Sequence, residues 1–377
     1  MKKLFLILII LTAAGSAGFA GDISFAFEDA RFHSDLLGGF APVYIRAGID
    51  YTGLELIDSQ RTDLYVIGGG ALVSESIWTG LDGLPFLADA VANNTDDFDD
   101  ENSYSRWQTD FSMKLKQGFI HEEGREKALL AAYGKYAITF TSPHENWGGG
   151  TSSNFLDGLA SAYPDQDGTV TNLLQAGIEL DRLDKGDVYD GFNVDASIQA
   201  APRWLANSLY GDSNFMQLDL TAKGYYSLLE LKRKDSELTG LGIYLADRVQ
   251  VDYLIGDAVP QYYQENPALG TKMRGFERMS MGTEFTIVNN FDIRLYGIEF
   301  VDNINPVAVL FWDTGYYAGD FYNTDYNEAG LRMSTGFELA LNIVDFAQVG
   351  YRFGFPLIGE NLQQESMQSG IMFMYQF

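Results

Sequence analysis

The amino-acid sequence predicts an all-β protein, a transmembrane antiparallel β-barrel of about 14 strands, within a range of roughly 12 to 16, behind a cleaved signal peptide. Three observations carry that expectation. The chain opens on an export leader, alternates apolar and polar residues at strand period from near Ile23 to its end, and closes on an aromatic residue. In the last seven residues, Ile371, Phe373, Tyr375 and Phe377 form one apolar stripe while Gln376 points the other way, because successive side chains of a strand face opposite sides.

The leader reads Met1-Lys2-Lys3, an apolar run from Leu4 to Leu11, then small residues ending in Gly18-Phe19-Ala20, with a cut expected before Gly21. That divides the chain into a signal peptide, 1–20, and a barrel, 21–377. The apolar run is too short to span a bilayer as a helix, which needs about 20 residues. The chain has no cysteine, which rules out a lipid-modified cysteine, disulfides and thiolate metal sites. Cleavage would leave 23 Lys and Arg against 52 Asp and Glu. A balance this acidic argues against nucleic acid as a partner. Forty glycines, 22 tyrosines and 26 phenylalanines suit a large sheet with aromatic girdles at two interfaces. The acidic tract Asp96-Asp97-Phe98-Asp99-Asp100-Glu101 reads as a solvated loop.

Taken in order, the first strands are expected at Ile23 to Phe32, Val43 to Leu56, Asp63 to Val73, Arg106 to Phe119, Leu129 to Phe140 and Leu173 to Asp181. The pattern is clearest beyond them. Val194, Ala196 and Ile198 oppose Asn193, Asp195, Ser197 and Gln199; Met216, Leu218, Leu220 and Ala222 oppose Gln217, Asp219, Thr221 and Lys223. Val249, Val251, Tyr253 and Ile255 oppose Arg248, Gln250 and Asp252. Strands follow at Glu284 to Tyr296, Val307 to Tyr317, Ala329 to Leu341 and Ala347 to Leu357, before the terminal one. Three polar gaps, Thr79 to Tyr104, Pro143 to Thr169 and Gly256 to Met281, read as surface loops.

A soluble sandwich would alternate in the same way with its apolar face inward, so periodicity alone does not choose. The leader, the aromatic terminus and the unbroken alternation favour the membrane, with the apolar face to lipid. Arg46, Asp50, Lys114, Asp195, Lys223, Asp292 and Arg352 are then expected to line the lumen.

Catalytic motifs are missing. His33, His121 and His144 are the only histidines, and none lies at a metal-ligating spacing. Neither a Gly-x-Ser-x-Gly elbow, a phosphate loop nor a dinucleotide fingerprint is present, and Gly148-Gly149-Gly150 reads as a flexible loop tip. No enzyme, no metal and no cofactor are expected.

The informative constellation is Leu269-Gly270-Thr271-Lys272-Met273-Arg274-Gly275-Phe276, then Asn290-Phe291-Asp292-Ile293-Arg294, then Leu310-Phe311-Trp312-Asp313-Thr314-Gly315. Its order and spacing over Leu241 to Phe377 resemble the carboxy-terminal barrel of the BamA/TamA, or bacterial surface antigen, family. The resemblance implies that Arg274, in an Arg-Gly-Phe triplet at a loop tip, folds back into the lumen. There it would meet Asp292 on the next strand and Asp313, of a Phe-x-Asp-x-Gly motif, one strand later. The residues support part of this independently. Phe291, Ile293 and Leu295 share one face, which sends Asp292 and Arg294 to the lumen. Asp313 shares its parity with Val307, Val309 and Phe311, so pattern leaves its direction open, whereas the cost of a lipid-facing carboxylate favours the lumen. A guanidinium can fork onto a carboxylate, which lysine cannot do.

The resemblance implies a role in outer-membrane biogenesis, through protein or lipid insertion or transport, with a weak seam between first and last strands. It also implies outer-leaflet lipid such as lipopolysaccharide, the barrel assembly machinery and client proteins or lipids as partners, with Phe377 as part of the assembly signal. Strand signals begin at Ile23, which leaves no room for the periplasmic POTRA units of such proteins, so a POTRA-less barrel is expected. The alternative is a passive, cation-preferring pore or a structural barrel.

Overall fold

A computed structural model describes residues 22–32, 43–57, 60–76, 103–121, 127–144, 168–185, 189–231, 241–260, 263, 272–275, 284–298, 304–319, 329–343, 347–358 and 368–375. The leader, the acidic tract and the triple glycine lie outside these residues, as do Phe276 and Phe377.

The strands are β1 (Asp22–Phe32), β2 (Val43–Ile57), β3 (Gln60–Ser76), β4 (Ser103–Ile120), β5 (Leu130–His144), β6 (Thr169–Asp181), β7 (Asp184–Lys185) and β8 (Tyr189–Ala201). They continue as β9 (Asn214–Leu231), β10 (Leu241–Ala258), β11 (Phe285–Tyr296), β12 (Ile304–Ala318), β13 (Ala329–Ile343), β14 (Ala347–Ile358) and β15 (Gln368–Tyr375). One sheet holds them in chain order, each pairing antiparallel with the next, and the two-residue β7 sits off this path against β8. The sheet curves until β15 comes near β1, but among the described residues no ladder joins the two, so the sheet is not closed. Most strands run longer than the alternation predicts, because ladder bonds continue into the polar residues at both rims.

Polarity is inverted relative to a water-soluble protein. Outward residues such as Phe111, Met113, Leu115, Ile178, Leu310, Trp312, Leu339 and Leu341 are exposed, whereas Asp110, Lys116, Asp252, Asp292, Asp313 and Glu338 are buried on the inner face. Water would make such an exterior unstable by about 25 cal/mol per Å² of apolar area, while acyl chains solvate it. Antiparallel pairing between successive strands meanwhile satisfies the backbone groups that lipid cannot, except along the outer edges of β1 and β15. This is the architecture of outer-membrane β-barrels.

Up-and-down order places the connections 58–59, 121–129, 182–188, 232–240, 297–303 and 344–346 at the end that holds both chain termini. The longest connections, 77–102, 145–168 and 259–284, share the opposite end. Short turns at one end and long loops at the other are the asymmetry of outer-membrane barrels, whose long loops face outward from the cell.

Two features at the long-loop end had no sequence signal. Where β8 stops at Ala201, the fully buried Asn207 takes its place beside β6: Oδ1 accepts from the Asn172 backbone N–H at 2.6 Å, and Nδ2 donates to the Asn172 carbonyl at 2.9 Å. One side chain thus imitates a ladder step. Inside the lumen, Leu173, Ala201, Phe215 and Leu254 bury an apolar cluster on which the start of the 259–284 loop folds through Val259 and Tyr263. The Phe215 and Tyr263 rings lie 4.3 Å apart.

Candidate functional site

Register across β11–β14 builds a plate on the lumen wall. Asp292, Phe311, Gly336 and Gly354 follow one another across the four strands as one row. The row toward the long loops is Asn290, Asp313, Ser334 and Pro356; the row below is Arg294, Val309, Glu338 and Arg352. Directly opposed residues share a face, so all three rows look into the barrel. Asp313 is fully buried, and with it Val307, Val309 and Phe311, while Leu310 and Trp312 are exposed, which fixes the direction that parity left open.

The loop reaches this plate at Arg274. Its guanidinium forks onto Asp313, Nε to Oδ2 at 2.9 Å and Nη2 to Oδ1 at 2.6 Å, and its own backbone N–H donates to Oδ2 at 2.7 Å. Nη2 also lies 2.6 Å from Asp292 Oδ1, and Nη1 lies 3.8 Å from Glu338 Oε1. Below the guanidinium is the Phe311 ring, 4.2 Å from its centroid, which explains an apolar residue on this inner face. The Ser334 hydroxyl donates to the Arg274 carbonyl. Burial disfavours the Arg274 charge, yet the Asp313 bonds and the Asp292 carboxylate more than offset it and raise its pKa above the ordinary arginine value.

Backbone geometry sets the approach. Gly275 has φ 81°, a left-handed conformation that favours glycine, and a Cβ there would stand 3.2 Å from both Phe355 N and Ser334 Cβ. A Cβ on Gly354 would fall 2.5 Å from Gly275 Cα, and one on Gly336 would fall 2.5 Å from Phe311 Cζ. The two glycines therefore hollow out the floor that the loop and the ring occupy.

Surrounding charges hold the set in place. Arg294 binds the second oxygen of Asp292, Nη2 to Oδ2 at 2.8 Å, and Arg352 donates to Glu338 at 2.5 Å. Two residues earlier in the loop, Lys272 pairs with Asp252 on β10, whose carboxylate also accepts from Thr286. Burial lowers the Lys272 pKa in spite of that partner. Met273 packs on Val288 with Tyr317 alongside.

Of the residues singled out from the sequence, the structure brings together Arg274, Gly275, Asp292 and Asp313. Gly315 lies on the inner face between Val288 and Arg332 in register, within the strand. Ile371, Phe373 and Tyr375 belong to β15 and pair with Tyr351, Val349 and Ala347. Glu338, Ser334, Phe311 and the two floor glycines were missed as partners of the loop. Their alternation was visible, with Ser334 and Glu338 on one parity of β13 and Gly354 beside Arg352 on β14, but register across strands is not.

No protein-family profile matches the chain, and no curated protein matches it either. Among solved structures it is similar to BamA from Haemophilus ducreyi lacking POTRA domains 1–3, with 14% identity and a TM-score of 0.48 over 95% of this chain and 70% of that one. A bacterial polysaccharide outer-membrane secretin matches with 8% identity and a TM-score of 0.32, over 93% of each chain.

Proposed function

We propose that this chain is an integral bacterial outer-membrane barrel of the BamA/TamA type that acts in outer-membrane biogenesis, inserting or transporting protein or lipid. The observation that carries the reading is the loop arginine forked on Asp313 and paired with Asp292, with two supporting contacts from β13. A long loop tied to four strands inside the lumen suits a barrel whose walls and loops are coordinated. Loop residues seated on the lumen wall weigh against a passive cation-preferring pore, which needs a continuous aqueous path. In this reading residues 1–20 direct export, and Ile371, Phe373, Tyr375 and Phe377 are recognised by the barrel assembly machinery. Outer-leaflet lipid, such as lipopolysaccharide, surrounds the barrel, and the clients are outer-membrane proteins or lipids. The reading invokes no catalysis, cofactor or nucleic acid.

Depletion in the native host tests it, with outer-membrane proteins and lipopolysaccharide quantified as the protein falls. Selective loss of either class is expected. Unchanged composition, together with steady cation-selective conductance of the purified protein, would replace this reading by the pore. Deleting Phe377 should leave most of the chain unfolded in the periplasm, assayed by the heat-shifted band of folded barrels.

A further inference from the structure

Asp247 breaks the lipid-facing surface. On β10 it shares the outward parity of Ile243, Leu245, Val249, Val251, Tyr253 and Ile255, and it is exposed. Its register partners are Phe291 on β11 and Gly224 on β9. Asn289, on the outward parity of β11 beside the exposed Ile287, donates to Asp247 Oδ1 from Nδ2 at 2.6 Å.

Its depth follows from an aromatic belt at the long-loop end. The Tyr253, Phe285 and Tyr316 rings meet edge to face across three strands, each pair 6.4 Å apart. Asp247 precedes Tyr253 by six residues. On a strand tilted as in such barrels, that is about 15 Å of height within an apolar band roughly 25 Å tall, which puts the carboxylate near its middle. Among the described residues no cationic side chain reaches it. An ionisable group facing acyl chains at that depth is costly to keep, and it marks a place where the surface meets something other than lipid.

The neighbouring groups identify the occupant. A carboxylate alone would call for a cation from another molecule. Here it adjoins an amide with two N–H groups, of which one holds Asp247 and the other is left for a second acceptor, while Asp247 keeps lone pairs free for a second donor. Donor and acceptor side by side are self-complementary under a two-fold axis, where each residue of one copy meets the other residue of its mate. Gly224 stands next to the pair with nothing within 4 Å of where its Cβ would be, and Ala222 opposes Val249, so a second surface can approach closely.

We infer that two copies of this chain meet in the membrane along β9–β11, with Asn289 of each donating to Asp247 of the other beside the Gly224 recess. The absence of cysteine makes a clean test. In full-length protein in native membranes, Ala222→Cys should yield a dimer with a short bifunctional maleimide, whereas Phe111→Cys, exposed on β4, should not. Replacing both Asp247 and Asn289 by Leu in the Ala222→Cys background should cut that dimer at least tenfold and leave the heat-shifted band unchanged. The wild type in lipid nanodiscs should have the mass of two chains, a measurement that needs no variant. A single-chain mass across concentrations, equal cross-linking from Phe111→Cys, or cross-linking of Ala222→Cys to a different protein would each overturn the inference.

Discussion

Two stretches of the lumen wall use the same small device to different ends. On β12 and β13, Phe311 lies over its register partner Gly336 and carries the Arg274 guanidinium on its face. On β5 and β6, Tyr133 lies over its register partner Gly177, where a Cβ would fall 2.4 Å from the ring, and carries the Lys114 ammonium at 3.9 Å. In each case a missing side chain lets an aromatic ring lie flat along the wall and present its face to a cation. The difference is the source of the cation. Lys114 belongs to β4, and the bonds around it, Lys116 to Glu179 at 2.6 Å and Tyr133 to Asp195 at 2.9 Å, join strand to strand. Arg274 belongs to a loop. One wall braces itself, and the other holds a segment that entered from the rim.

Breaking the loop anchor should give the largest effect. Asp313→Ala leaves a buried guanidinium without its fork and should cost about 3–5 kcal/mol. It should lower the midpoint of the heat-induced gel shift and open the 259–284 loop to added protease. Arg274→Ala should do the same by stranding Asp313, and a midpoint equal to wild type for that variant alone would end the idea of a shared pair. On the other wall, Lys116→Ala strands Glu179 and should cost about 1–3 kcal/mol. There the loop should stay as resistant to protease as in the wild type; a newly cleavable loop would show that the walls act as one. The smallest effect is expected from Gly275→Ala, about 1–2 kcal/mol for a left-handed non-glycine residue. Loosening of the loop beside an unshifted strand core, read by hydrogen exchange, would place that strain where the comparison puts it.

Period-two alternation made the strands legible, down to the short one at Ile23, because each wall faces two unlike environments and the side chains must sort between them. The arginine and its two aspartates were legible only through the order of their motifs. Asp313 had ambiguous parity because its strand is apolar on both faces, and the reason, a phenylalanine beneath a guanidinium, appears only in three dimensions. Glu338 and Ser334 join the site by register, which depends on turns and bulges such as the shift between Met333 and Ser334. Asp247 escaped notice for a simpler reason. The alternation of β10 reads cleanly from Arg248 onward, and only its extension back to Leu241 shows a carboxylate on the apolar side.

Chain order gives the loop anchor one more meaning. The partners of Arg274 come after it: Asp292 on β11, Asp313 on β12 at a separation of 39 residues, and Ser334 on β13 at a separation of 60. Strands β1 to β10 offer the loop its apolar foothold at Val259 and Tyr263 and the Asp252 carboxylate for Lys272, but no seat for the guanidinium. The seat is completed by strands that arrive later. A docked arginine therefore requires β11, β12 and β13 to be in register with one another.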